Sequence, residues 1–459
     1  MQMLIEIGQI FLMTFSLALV MPIFWIVLFL VFLQYRRQAG IEEKLYGRVI
    51  NPLPRQLLTS LGLGAVGGFV ASIVLVILGL SLEQIGLYFI WPVALLLLLI
   101  NPRYLCFSYA GGIVAAAVLL IRHLVLPFVP ALEETIIFES LLKIHIPALL
   151  VLIGLLHLVE AMLIYIGGHW GSSPIYLKQD SGKVVGAFSL QRFWPLPLVA
   201  LLVSLVPQAD IVGVSMPDWW PILQSVLQPG EGQSLQYMVI PVAAGLGYAD
   251  LALAGTPRAR SRYSAQWLAL YSVVLLIIAV GSEFLPLLVW PGVIFAPIGH
   301  ELLILYGKKS EETAEPLFAT DGQGVKIMMV LPGSAAAKAG LEQGDIIEKV
   351  NSLEITGNRA LLESIEESYF MVLLQGNRMG QPLSLVLNKR YAESNEKAGS
   401  FQSHLKQSSS GYLLHRSVAL GFIPVPPEDS PVYLQMKKSS SQNLFKRLFA
   451  GLRKVFNRQ

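Results

Sequence analysis

The sequence predicts a polytopic α-helical membrane protein followed by a small α+β domain and a basic amphipathic C-terminal helix. Three observations predict this class. Apolar residues make up 54% of the chain and charged residues only 14%, and the mean hydropathy is +0.61, whereas soluble domains carry about 25% charge. The polar residues are also unevenly placed: Met1 to Tyr306 is a series of apolar blocks, and the composition turns soluble after Gly307. Finally, the run VLPGSAAAKAGLEQGDIIEKVN, Val330 to Asn351, reads as strand, turn, short helix, turn and strand. Its alanines let a helix lie close to a sheet, and Gly333, Gly340 and Gly344 supply turns with positive φ.

A helix needs about 20 apolar residues to cross the hydrocarbon core. Spans are expected at Ile10–Leu33, Leu57–Leu80, Ile85–Ile100, Tyr104–Ile121, Leu142–Ile166, Pro195–Gly213, Tyr237–Ala254, Gln266–Ser282 and Leu285–Tyr306. That makes nine, or seven if one apolar hairpin is re-entrant. Lys and Arg set orientation. Arg36, Arg37, Lys44, Arg48 and Arg55 follow the first span, Lys178, Lys183 and Arg192 the fifth, Arg258, Arg260 and Arg262 the seventh, and Lys308 and Lys309 the ninth. Either count puts these clusters on one side, with the N-terminus outside and the C-terminal domain cytoplasmic. The first apolar run lacks the basic n-region and cleavage site of a signal peptide.

The formal charge of +3 is too small to argue for nucleic acid. The single cysteine, Cys106, excludes an intrachain disulfide framework and reads as a buried, apolar-like thiol. Within the apolar region, His157 and Glu160 share a helical face, and Asp210 and Asp250 lie near span ends. Helix–helix hydrogen bonding is their bland use, and a proton relay the sharper one. The small-residue runs Gly62–Gly68 and Ala110–Ala117 fit close helix packing.

Catalytic signatures are incomplete. A zinc metalloprotease helix needs His-Glu-x-x-His, and His300-Glu301-Leu302-Leu303-Ile304 lacks the second histidine. Glu133-Glu134 lacks the arginine of glutamate-type membrane endopeptidases, and Gly171-Ser172-Ser173 beside His169 lacks a nucleophile elbow. No enzyme activity, metal or cofactor is expected.

Val330–Asn351 resembles the core of bacterial PDZ domains, whose pattern is PGSPAAKAGL followed by GDxIxxVNG, with Ala335 and Ser352 in place of the usual proline and glycine. The resemblance spans residues 316–390, after a transmembrane region of 1–306 and a linker of 307–315. It implies that an extended peptide adds as a strand beside the longer helix. The implied groove comprises Asp321, Gly322, Gln323, Gly324, Val325, Lys326 and Ile327, together with Leu361, Leu362 and Ile365. Asp321-Gly322-Gln323-Gly324-Val325 would stand where the family's Gly-Leu-Gly-Phe-like loop holds a ligand carboxylate. Asp321 would repel that carboxylate, which leaves an internal segment, or a groove used only for folding, as alternatives.

Residues 391–442 read as a polar, serine-rich flexible segment with additional strands within Gly411–Val425. In 443–459, Phe445, Phe449 and Phe456 recur at helical spacing, with Lys446, Arg447, Arg453 and Lys454 on the other side. This pattern suits an anionic inner leaflet; a partner-docking helix is the alternative.

Many spans, a C-terminal PDZ-like domain and incomplete protease motifs together resemble the MinJ family of Gram-positive division-site scaffolds. That resemblance implies a bridge between DivIVA and the MinC–MinD inhibitor, with self-association left open. An accessory subunit of a membrane protease, or a transport or export component with a regulatory PDZ domain, are the other readings.

Overall fold

Proline and glycine decide where the apolar runs bend, stop and change type. The computed structural model describes residues 2–391 except 224, 226, 321 and 323, together with 409–431 and 433–435. It divides into two units. One comprises Met1–Lys44, Val49–Ser173 and Phe188–Glu315; the other comprises Leu45–Arg48, Pro174–Ala187 and Pro316–Gln459. The second unit therefore takes in two short stretches from the apolar part as well as the expected C-terminal domain.

In the first unit, α1 (Gln2–Val20) and α2 (Pro22–Tyr46) meet at a 53° bend. Pro22 has no N–H to continue the ladder, so the expected span Ile10–Leu33 is a bent pair. Helix α3 (Leu53–Leu78) ends on Gly79, whose φ of 76° caps it left-handed. After it come α4 (Leu87–Ile100), α5 (Phe107–Leu120, extended by a π turn to Val125), α6 (Ile136–Leu142), α7 (Ile146–Gly167), α8 (Pro257–Phe284) and α9 (Val289–Thr313). Five of these helices are long and apolar enough to cross a bilayer, six with the bent pair, and α4 is a shorter apolar helix. Helix α7 is the centre of the bundle: 72% of its apolar window is buried, against 22–33% for α3, α8 and α9. The outer helices expose Trp25, Phe29, Leu58, Leu99 and Ile277, a surface suited to lipid rather than water.

The expected spans Pro195–Gly213 and Tyr237–Ala254 are not helices. They form a hairpin of two long strands, β2 (Val184–Pro207) and β3 (Gln233–Ala252), paired antiparallel from Phe188↔Ala252 to Pro207↔Gln233. Pro195 and Pro197 explain the difference, because an interior helical proline costs about 3 kcal/mol. A strand accepts them where the N–H would face away from its partner. That edge of β2 lies on α3. The carbonyls of Pro195 and Pro197 abut Gly64 and Gly68, Val199 N–H donates to Ser72 Oγ at 2.8 Å, and Leu201 O accepts from Leu82 N–H at 2.9 Å. A Cβ on Gly64 or Gly68 would lie 2.1 Å from those carbonyl oxygens. The glycine run thus admits a strand, and α3 covers an edge that lipid could not satisfy.

Helices α4 and α5 form a second hairpin. Its entry and exit lie together, since Gln84 O accepts from His145 N–H and the Arg122 guanidinium donates to Leu142 O and Ile144 O. Its tip reaches only part of the way along α7, where Cys106 meets His157. That is roughly 18 Å along a helix about 33 Å long. The expected spans Ile85–Ile100 and Tyr104–Ile121 therefore enter and leave at one end. Removing the crossings of this hairpin leaves the ends of the bundle paired as before.

The second unit is built on a sheet of order β8-β7-β5-β4-β9, with β6 pairing β5. The strands are β4 (Val325–Val330), β5 (Ile346–Val350), β6 (Leu353–Glu354), β7 (Met371–Arg378), β8 (Gln381–Asn388) and β9 (Phe422–Pro424). Among the described residues, helices α10 (Ala335–Lys338), α11 (Asn358–Glu367) and α12 (Ser409–Leu420) accompany it. Val325, Ile327, Leu341, Ile347, Leu361, Leu362, Ile365, Leu374 and Phe422 form its core. Ser334 caps α10 through Ala337 N–H, and Gly340 and Gly344 adopt φ of 88° and 94°. The Asp345 carboxylate, buried in the Gly344 turn, accepts from Glu342 N–H and from two guanidinium nitrogens of Arg378 at 2.7 and 2.8 Å. The same bond raises the Arg378 pKa.

Candidate functional site

The longer helix α11 and the strand edge beside it form the candidate site. Helix α11 turns Leu361, Leu362 and Ile365 inward, each 1% exposed, as their spacing predicts. Val325 and Ile327 of β4 also point into that core. These five expected groove residues are therefore brought together, but as core rather than lining. Lys326 donates from Nζ to Leu317 O at 2.8 Å. Gly322 and Gly324 adopt φ of 83° and 68°, and Gly324 packs against the Ile347 carbonyl. Asp321 and Gln323 lie outside the described residues, as does the whole expected membrane-surface set Phe445, Lys446, Arg447, Phe449, Arg453, Lys454 and Phe456.

The strand edge differs from the expectation. Strand β4 has neighbours on both sides: β5 pairs with Val325 and Lys326, and β9 lies antiparallel along Ile327–Val330. The pairing runs Ile327↔Pro424, Met329↔Ile423 and Val330↔Phe422, extended by Val425 N–H to Lys326 O and Leu331 N–H to Gly421 O. An extended peptide has no open edge to add to on β4, because the chain's own late strand is there. The strand expected within Gly411–Val425 is β9, but most of that stretch, up to Leu420, is helix α12, and the pairing of β9 with β4 joins segments about a hundred residues apart that no local spacing links. A signal was present: Ala419-Leu420-Gly421-Phe422 matches the Gly-Leu-Gly-Phe-like pattern better than Gly322–Val325 does.

Gly421 makes this arrangement work. Its φ is 98°, and a Cβ there would sit 2.0 Å from Ser334 Cβ. Its N–H donates back to Ser417 O and its carbonyl accepts from Leu331 N–H. The end of β9 makes further bonds. Pro424 O accepts from Tyr176 Oη at 2.8 Å and Val425 O from Asn358 Nδ2 at 2.8 Å. Burial pushes the Tyr176 pKa up, so the hydroxyl remains a donor. Tyr176 belongs to β1 (Ser173–Lys178), which pairs in parallel with β10 (Leu434–Gln435). Arg416 of α12 pairs with Glu366 of α11 at 2.6 Å.

The polar residues of the apolar unit sort into separate groups. Asp250 pairs with Arg260 (Nε–Oδ2 2.9 Å) and accepts from Ser264 Oγ at 2.6 Å. Arg260 also reaches Glu311, whose carboxylate takes the Leu253 and Ala254 N–H groups. This network ties the end of β3 to α8 and α9. Among the described residues no hydrogen bond or ion pair joins His157 to Glu160 or Asp250. His157 instead faces Cys106 and His300, a cluster that sequence spacing could not show because its members come from three elements. Glu301 pairs with Arg103 and accepts from Tyr109 Oη at 2.6 Å.

Taken together, fold and site define a membrane protein of several apolar helices with a sheet-rich C-terminal region. Over 364 residues, covering 77% of this chain and 85% of the relative, it is 24% identical to the cell division topological determinant MinJ of Bacillus subtilis (strain 168). It is also 24% identical over 352 residues to probable cell division topological determinants MinJ of Lacticaseibacillus paracasei and Lacticaseibacillus casei (strain BD-II), covering 75% of this chain and 85% of each. The chain is thus similar to MinJ proteins along most of its length and theirs. No family model matches it.

Proposed function

We propose that this protein is a non-enzymatic, membrane-anchored scaffold of cell-division site selection. The observation that carries the reading is its similarity to proteins named cell division topological determinants over 85% of their length. In this reading it bridges a DivIVA-like polar or septal protein and a MinC–MinD-type inhibitor. Bridging needs no chemistry: anchoring two partners to one chain raises their local concentration. In this reading the C-terminal unit lies on the cytoplasmic face, as the basic loops suggest under the positive-inside rule, and the basic segment 443–459 contacts anionic lipid.

The C-terminal unit acts in this proposal as a PDZ-like module whose groove strand is β9. The Gly421 amide is bonded to Ser417 O, Pro424 O of β9 accepts from Tyr176 Oη, and Val425 O just beyond it accepts from Asn358. A ligand therefore enters as an internal segment or on another face, rather than by its terminal carboxylate. The test is a deletion in the source organism together with a fluorescent fusion. Septal or polar enrichment, with minicells or elongated cells on deletion, is expected. A uniform peripheral signal with normal cell length and no minicells would overturn the scaffold reading.

A further inference from the structure

We propose that Cys106, His157 and His300 form a binding site for a thiophilic transition-metal ion inside the helical unit. Cys106 Sγ lies 3.2 Å from His157 Nε2 and 4.0 Å from His300 Nε2. One ligand atom from each of the three lies within 4.8 Å of the others. Zinc bonds of about 2.3 Å to sulfur and 2.0–2.1 Å to nitrogen, at tetrahedral angles, set donors about 3.3–3.6 Å apart. The two measured separations bracket that spacing, so small side-chain adjustments seat an ion.

The surroundings prepare the donors. His157 Nδ1 is 2.7 Å from Ile153 O. Donating there holds that nitrogen protonated and leaves the Nε2 lone pair facing the sulfur, the orienting bond typical of metal-bound histidine. His300 is 9% exposed and its Nδ1 has no hydrogen-bond partner; its ring packs edge-on against Tyr109, His157 and Tyr271, which leaves Nε2 toward the sulfur. Cys106 stands at the N-cap of α5, where Ser108 N–H approaches Sγ at 3.4 Å. Nearby polar groups are committed elsewhere: Tyr271 to Ser108 and Ala296 O, and Glu301 to Arg103 and Tyr109. One thiol and two imidazoles remain, a donor set suited to zinc or copper(I). On binding, the thiol gives its proton to buffer and sulfur becomes a thiolate ligand.

Mechanically, the ion would fasten the tip of the α4–α5 hairpin to α7 and α9. The tip carries non-helical backbone at depth, which needs support from the surrounding protein.

The test uses the full chain in detergent, purified without a histidine tag, with zinc and copper measured by elemental analysis before and after loading with Zn2+. About one ion per chain is expected, and the element found distinguishes zinc from copper(I). Loading with Co2+ should give thiolate-to-cobalt charge-transfer absorption, which reports on Cys106 alone because it is the chain's only cysteine. Cys106→Ser, His157→Gln and His300→Gln should each weaken binding about tenfold or more, while His123→Gln leaves it unchanged. The wild-type cobalt spectrum keeps the test decisive should a variant fail to fold. No charge-transfer band in the wild type, or equal metal content in wild type and well-folded variants, would overturn the proposal.

Discussion

Gly421 and Gly333 adopt comparable left-handed conformations, with φ of 98° and 73°, but their surroundings differ. A Cβ on Gly333 meets nothing within 4 Å, whereas one on Gly421 collides with Ser334. Gly333→Ala should therefore cost only the backbone penalty, about 1 kcal/mol. Gly421→Ala adds a clash that moves β9 off β4, for a total of about 2–4 kcal/mol. Thermal unfolding of the full chain, read with limited proteolysis around residues 420–425, checks this. Equal losses from the two substitutions would mean that β9 is not held as described. The difference between these glycines was not legible in the sequence, because each looks like an ordinary turn residue and only the approach of Ser334 separates them.

At the scale of elements, β2 against α3 shows how composition can mislead. Pro195-Leu196-Pro197 sits in a run as apolar as any helix here, and hydropathy does not register that two ladder donors are missing. The prolines were the available signal, and the glycines facing them were the complementary one. Gly64→Leu or Gly68→Leu should prevent β2 from docking and leave little monodisperse protein after detergent extraction. Gly62→Ala, where a Cβ would meet nothing within 4 Å, should extract like the wild type. Similar yields for all three would refute the close strand–helix contact. Elements with a strong local period fared differently. The stretch from β4 through α10 to β5 lies where its pattern put it, since Ser334, Gly340 and Asp345 each bond a group only a few residues away.

For the whole molecule, the α4–α5 hairpin carries the topological consequence. If both its ends lie at one face, cysteines introduced at Gln84 and Leu126 in a Cys106→Ser background should react with an impermeant maleimide from the same side as one at His145. A cysteine at Gly171, near the far end of α7, should react from the other side. Labelling of positions 84 and 126 from opposite sides would show that the hairpin does not return. Hydropathy counts apolar residues without regard to where their ends go, so the sequence shows two runs of span-like composition and no sign that they share an end.

By itself, the sequence determined that this is a membrane protein with a polar C-terminal part, and it carried the turn chemistry of that part. Both follow from local composition and short-range spacing, which act within a few residues. Tertiary structure alone decided three things: that two apolar runs pair as strands, that β9 occupies the edge of β4, and that Cys106, His157 and His300 converge. Each joins residues tens to hundreds of positions apart. Their energies come from a glycine meeting a carbonyl, a late strand meeting an early one, and three donors meeting at one point. No local period encodes such meetings.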